Sequence, residues 1–262
     1  MNIPYYQLDA FTTSKPFSGN PAGVCTLENW LSDDILQNIA MENNLSETAF
    51  IVEQEGYYDL RWFTPEVEVD LCGHATLAAS SLILEYLNSE MDSVKFKYND
   101  GYLSAEKSGN MIEINFPSRP PVKCTAPELL IEAMGKQPGE IYLSRDYVLV
   151  YDTEEDIASM NPNMNLLSQV DCFGVIITAK GNSADFVSRY FAPGCGVPED
   201  PVTGSAHCNL IPYWSNKLNS EKMHAIQLSK RGGEIHCTYD GDRVFMSGKC
   251  TLFLKGEISI HI

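Results

Sequence analysis

The sequence predicts an α+β fold made of two similar domains, and three observations carry that prediction. The chain has 262 residues, about 1.7 times a typical domain of roughly 150. Hydrophobic residues make up 44% and charged residues 20%, enough apolar material for a substantial core and far from a disordered composition. Most telling is an internal repeat. Arg61-Trp62-Phe63-Thr64-Pro65 returns about half a chain later as Arg189-Tyr190-Phe191-Ala192-Pro193. Each block is followed by an acidic loop and then by a glycine that opens a run of small residues. In the first half that run is Cys72-Gly73-His74-Ala75-Thr76-Leu77-Ala78; in the second it is Thr203-Gly204-Ser205-Ala206-His207-Cys208-Asn209-Leu210. A repeat this long is not a solenoid unit and reads as two copies of one domain.

The elements follow in order. Ser32-Asp33-Asp34-Ile35-Leu36 carries an N-cap and a helical apolar pattern, leading to the strand-like run Thr48–Val52. Thr153-Glu154-Glu155-Asp156-Ile157 begins a similar segment before Gly174–Thr178. Further strands are expected at Gly23–Leu27, Tyr57–Phe63, Ser93–Tyr98, Tyr102–Lys107, Met111–Phe116, Gly174–Ala179, Ile235–Tyr239, Arg243–Lys249 and Gly256–Ile262. In the last of these, Ile258, Ile260 and Ile262 alternate on one face. The best helix is residues 73–88, small and apolar all round, and therefore expected to be buried. Gly232-Gly233 reads as a turn. The X-Pro steps in Pro117-Ser118-Arg119-Pro120-Pro121 mark the hinge, because the residue before a proline is held extended. The domains are thus residues 1–117 and 118–262, the last strand being able to cross back to the first.

Composition narrows the function. Eighteen Lys and Arg against 35 Asp and Glu leave a net charge of −17. Such a chain repels phosphate backbones and anionic membrane surfaces, so neither nucleic acid nor membrane is an expected partner. No apolar run approaches the roughly 18 residues that span a bilayer, and MNIPYYQLDAF has neither the basic nor the apolar region of a signal peptide. The eight cysteines form no CxxC pair; with no export signal they read as reduced thiols in a cytoplasm. The five histidines are scattered, so no metal site is expected. There is no G-x-G-x-x-G and no phosphate-binding G-x-x-x-x-G-K-[ST], and the simplest inference is a reaction without a cofactor.

The chemistry is sought where the repeat places its helix starts. The first N–H groups of a helix lack partners and carry partial positive charge. A glycine there lets a ligand come close. Two such starts, at Gly73 and at Gly204 with Ser205, facing each other across a domain interface would hold a carboxylate or a developing enolate. That would also answer the long-range repulsion of an anionic substrate. Glu47, in Asn44-Leu45-Ser46-Glu47-Thr48, stands before an apolar strand; at the mouth of an apolar cleft its carboxyl would be desolvated and suited to shuttling a proton. His74 sits where the helix dipole disfavours the imidazolium, so a neutral ring is expected. Asp200 precedes the second helix. No G-x-S-x-G elbow surrounds Ser205, which argues against a serine nucleophile. Cys72, next to a helix start, is expected to have a lowered pKa. Its counterpart in the second half is Pro201, so a two-thiol mechanism is not available.

Taken together, FSGNPAGV (Phe17–Val24), SETAF (Ser46–Phe50), RWFTPEVEVDLCGHATLA (Arg61–Ala78), RYFAPGCGVPEDPVTGSAH (Arg189–His207) and, more weakly, Gln227–Gly233 resemble the PhzF-like isomerases of phenazine biosynthesis. These lie within the diaminopimelate-epimerase-like superfamily, and the resemblance spans essentially the whole chain. It implies two pseudo-symmetric domains, each a curved, mostly antiparallel sheet wrapped around a central helix, with the active site in the cleft between them. It implies a homodimer, and a glutamate acid/base that falls on Glu47. His74, Asp200, Gly73, Gly204 and Ser205 match the other site positions. The founding activity is a cofactor-free proton shift in a dihydro-hydroxyanthranilate. The related epimerases use two opposed cysteines, of which this chain keeps only Cys72.

The expected function is therefore a cofactor-independent isomerase. Glu47, His74 and Asp200 would be catalytic, with Gly73, Gly204, Ser205 and Cys72 binding a small, conjugated carboxylate. Two rivals stand beside it: an amino-acid racemase or epimerase relying on Cys72, and a non-catalytic carboxylate-binding protein.

Overall fold

A computed structural model describes residues 1–260, so Ile262, expected to share one strand face with Ile258 and Ile260, lies outside the described residues. The chain divides into two compact units, residues Met1–Asn115 with Met246–Ile262, and residues Phe116–Phe245.

In the first unit the elements run β1 (Asn2–Thr12), β2 (Asn20–Leu27), α1 (Asp33–Asn43), β3 (Glu47–Gln54), β4 (Tyr57–Phe63), β5 (Glu68–Val69), α2 (Gly73–Ser81), β6 (Ser93–Tyr98), β7 (Gly101–Ser108) and β8 (Met111–Pro117). Most neighbours pair antiparallel, but β2–β3 and β4–β6 are parallel. Parallel neighbours need a crossover, and the sequence supplies one each time: α1 between β2 and β3, and α2 between β4 and β6. Helix α2 packs on β1, β2, β3 and β7, and every residue from Gly73 to Ser81 is buried. The all-round small and apolar pattern is explained by this enclosure. The helix expected over 73–88 is α-helical only to Ser81; Leu82–Leu87 form a π turn, closed by Asn88 N–H on the Ile83 carbonyl at 2.7 Å. A second cluster packs Leu36, Ile39 and Ala40 of α1 on Phe50 and Phe63.

The second unit contains β9 (Val122–Lys123), α3 (Glu128–Met134), β10 (Glu140–Leu143), β11 (Tyr147–Val150), α4 (Glu154–Ala158), α5 (Met164–Leu167), β12 (Val175–Lys180), β13 (Phe186–Ala192), β14 (Val197–Asp200), α6 (Gly204–Leu218), β15 (Lys222–Gln227) and β16 (Gly233–Asp240). The same succession of joins recurs. β11–β12 and β13–β15 are parallel, the first crossing over through α4 and α5 and the second through α6. Thr153 caps α4 with a full capping box, whereas Ser32 precedes α1 without a side-chain cap bond. Gly232 takes a positive φ of 71° before β16 begins, a turn as expected. Pro212 lies inside α6, where its missing N–H leaves the Cys208 carbonyl without its helical donor. The backbone N–H of Arg119 fills that place at 2.9 Å.

The arginines of the repeat brace matching strands. Arg61 on β4 holds Glu68 of β5 through two bonds of 2.7 Å. Arg189 on β13 holds Glu199 of β14 at 2.6 and 3.0 Å, and also donates to the carbonyls of Ile157 and Met160. A guanidinium matches a carboxylate with two parallel bonds. Each brace fixes the short strand that leads into the glycine-opened helix.

The runs Arg243–Lys249 and Gly256–Ile262, expected as separate strands, are one: β17 (Arg243–Ser259). Its later part pairs with β1, from Thr12↔Lys249 to Asn2↔Ser259. A register shift between Ala10 and Thr12 leaves Phe11 as a bulged residue at φ 58°, and its ring lies where a side chain on Gly248 would go. Gly248→Ala should therefore overpack this corner and cost about 1–3 kcal/mol, read as a lower urea midpoint with an unchanged slope.

Candidate active site

Glu47 is the first residue of β3, opposite Ala22 of β2. Asn44 ends α1 in the left-handed region at φ 49°, which asparagine tolerates better than most residues. The chain can then turn directly into the strand. Thr48 behind it is buried and accepts a bond from Asn43 Nδ2 at 3.1 Å. The Glu47 side chain keeps 18% of its surface exposed.

His74 is the second residue of α2, and Cys72 is its N-cap. The Cys72 carbonyl accepts from both the backbone N–H (3.1 Å) and the hydroxyl (2.5 Å) of Thr76, which fixes the cap. His74 is 3% and Cys72 5% exposed. His74 Nε2 lies 3.1 Å from Glu47 Oε2, and His74 Nδ1 lies 3.6 Å from the Cys72 sulfur. The structure thus brings together three residues that the sequence singled out separately.

These three donors lie within 4.8 Å of one another, close enough to raise the question of a metal ion. The sulfur, however, sits at Nδ1 and the carboxylate at Nε2, and the two ring nitrogens direct their lone pairs apart. The arrangement is a chain of proton-carrying groups, Cys72–His74–Glu47.

Two electrostatic expectations are corrected. Burial pushes the Cys72 thiol up to about 11, and the Glu47 charge adds to it against the lowering by His74. The helix start, which would favour a thiolate, is outweighed by removal from water. The sulfur faces the imidazole, 3.6 Å from Nδ1. For His74, burial alone lowers the pKa, but the Cys72 sulfur and the Glu47 carboxylate raise it further, and the ring stands well above its ordinary value of 6.5. With the thiol protonated, the Glu47 carboxylate is what holds the imidazolium. The expected neutral ring follows from the dipole alone, and a carboxylate at 3.1 Å is the stronger influence.

The second unit holds the other candidates. Asp200 ends β14, Thr203 caps α6, and the Thr203 hydroxyl donates to the Asp200 carboxylate. Gln227, fully buried at the end of β15, locks this turn. Its Nε2 donates to the Asp200 carbonyl (2.8 Å) and to the Thr203 hydroxyl (3.1 Å), while its Oε1 accepts from the Thr203 N–H (2.9 Å). His207 Nδ1 meets the Thr203 carbonyl at 2.8 Å, and burial pushes that ring down to about 4, so it is a neutral donor there. Gly204 is buried and Ser205 half-buried at the first turn of α6. The Ser205 hydroxyl accepts from Arg145 Nη2 at 3.1 Å. Arg145 is itself paired with the fully buried Asp146, which accepts from Tyr190 at 3.1 Å.

Sequence reasoning missed Arg145, Asp146, Tyr190 and Gln227 as parts of this site. Tyr190 lies inside the repeat, and Gln227 in the most weakly marked stretch. Arg145-Asp146, an adjacent pair of opposite charge in an acidic chain, was the available signal.

Two outcomes follow. At neutral pH a thiol reagent should label the exposed Cys195 well before Cys72, which should react only on unfolding; mass spectrometry of the labelled peptides checks this. The His74–Glu47 contact, in which the folded imidazole is raised, stabilises the protein fully below 6.5 and is lost as pH rises through the higher folded value. His74→Asn should therefore flatten the fall in stability toward alkaline pH, read from urea melts across that range.

Residues 8–256 match the family of phenazine biosynthesis-like proteins, PhzC-PhzF. The chain is 45% identical over 260 residues to an uncharacterised isomerase of Pseudomonas aeruginosa, covering 99% of this chain and 100% of that one. It is 37% identical over 289 residues to the human phenazine biosynthesis-like domain-containing protein, with 99% and 100% covered. The crystal structure of a PhzF-family phenazine biosynthesis protein from Enterococcus faecalis superposes with a TM-score of 0.94 at 44% identity, over 99% of this chain and 100% of that one. A hydroxyproline epimerase from Agrobacterium vitis, 7% identical with a TM-score of 0.63 over 98% and 92% of the two chains, shares the fold alone. With relatives named as isomerases aligned along its whole length, this chain belongs to the phenazine biosynthesis-like family and is an enzyme of the isomerase class.

Proposed function

We propose that the protein moves a proton within a small, conjugated carboxylate, without a cofactor, and that Glu47 is the acid/base. The observation that carries this reading is the 3.1 Å contact between Glu47 Oε2 and His74 Nε2 in a largely buried setting. With one oxygen in an ion-pair contact with the imidazole, the carboxylate offers its other oxygen to a carbon-bound proton. Glu47 removes that proton and returns it to another carbon of the conjugated system. One carboxyl working on one face moves a proton without inverting a centre.

The start of α2 offers N–H groups at Gly73, and the start of α6 offers them at Gly204–Ser205. In a protein of net charge −17 these local dipoles, with the Arg145 guanidinium behind Ser205, supply the attraction for an anion. Asp200, held by Thr203, orients a polar substituent of the substrate. The working form is a cytoplasmic homodimer, as the family resemblance implies. No helix among the described residues is long and apolar enough to cross a membrane.

A racemase relying on Cys72 is disfavoured by the thiol itself, raised to about 11 and turned onto the imidazole. The test is a screen of small conjugated carboxylates in D₂O, read by proton NMR for isomer formation and deuterium uptake. Loss of a positioned acid/base typically costs about 10²–10⁴ in rate, so Glu47→Gln should lower turnover by that factor while the fold is kept. Exchange that survives Glu47→Gln but is abolished by Cys72→Ala would overturn the reading in favour of the racemase. Ligands that raise the melting temperature but never exchange a proton would favour a carboxylate-binding protein.

A further inference from the structure

We infer that Cys72 is a positioning residue that decides which ring nitrogen of His74 keeps the proton when the imidazole is neutral, holding N–H at Nε2, toward Glu47. This rests on the proton-transfer reading above.

The geometry carries it. The Cys72 sulfur is 3.6 Å from Nδ1, and the Glu47 carboxylate is 3.1 Å from Nε2. Cys72 and His74 are both more than nine-tenths buried, so water does not readily replace either partner. Cys72 and Glu47 are the titratable groups that act on the ring. The cap cannot easily swing away, because its carbonyl is held twice by Thr76.

A thiol can both give and receive a hydrogen bond. Opposite a charged imidazolium, the sulfur accepts from Nδ1–H while Nε2 forms an ion pair with the carboxylate at 3.1 Å. Once the ring is neutral, a thiol that keeps its proton, as its burial favours, donates S–H to Nδ1. Nδ1 then becomes the acceptor and the remaining proton stays on Nε2. The opposite tautomer would set the Nε2 lone pair against the Glu47 carboxylate and release the glutamate from its partner. Cys72 therefore keeps the Glu47 contact intact through both charge states of His74. Serine preserves the donor and acceptor capacity, whereas alanine and valine remove it.

The experiment uses the full chain labelled with ¹⁵N-histidine and no substrate, so its outcome is independent of whether the proposed reaction is correct. Long-range proton–nitrogen spectra, collected as the pH is raised until the ring titrates, report the tautomer directly. The His74 signal is identified by its loss in His74→Asn. In the unaltered protein and in Cys72→Ser, neutral His74 should carry its proton on Nε2. In Cys72→Ala it should become a mixture of the two tautomers. Cys72→Val, which fills the site without a polar hydrogen, should behave like Cys72→Ala and guards against an effect of lost volume. Neutral His74 protonated on Nδ1 in the unaltered protein, or an unchanged tautomer in both apolar variants, would overturn the proposal. Failure of the exchange assay with a confirmed tautomer would instead count against the proposed function alone.

Discussion

Helix α2 has no wet face, and that enclosure sets the chemistry of the first unit. Its residues are small because four strands close on it. Small residues let the sheet approach, and the approach removes water from the helix start. A dipole, a histidine and a thiol that would be unremarkable at a surface are there placed in a medium where each charge acts strongly on its neighbours. The Glu47 carboxylate, entering from β3, becomes the dominant partner of the buried imidazole. Packing thus comes first and electrostatics follows from it.

The two units solve one local problem with the same parts. A strand carries an arginine that clamps an acidic residue on the next short strand, and that strand delivers the chain to a glycine at the start of a buried helix. Beyond this shared frame the sites differ. The first unit gathers ionisable groups around His74. The second builds a neutral lock from Gln227 and Thr203 around Asp200 and leaves a guanidinium on Ser205.

Much of this was legible because it is local. The arginine-aromatic repeat, the glycines that open α2 and α6, and the period-2 runs of β4 and β6 are each written within a few residues. What misled was also local reasoning. The dipole at α2 argues for a thiolate and a neutral imidazole, but the state of both groups is set by burial and by Glu47, which approaches only in the folded chain. Gln227 and Arg145 were hidden for the same reason, since their partners lie on other elements. β17 was read as two strands because its middle, around Phe253–Gly256, is exposed on both sides and loses the alternation that marks a half-buried strand. The π turn after Ser81 keeps an apolar spacing close enough to an α-helix to be taken for one.

The pairing of β1 with β17 bears on how the molecule is made. Asn2 lies beside Ser259, so β1 waits for a strand synthesised after all the other described strands. Domains usually mature in the order of translation, yet here the second unit has nearly all its chain before the first can seal its sheet. Until then β1 offers an open edge beside the enclosure around α2, and the segment that completes this sheet is made after the whole of the second unit.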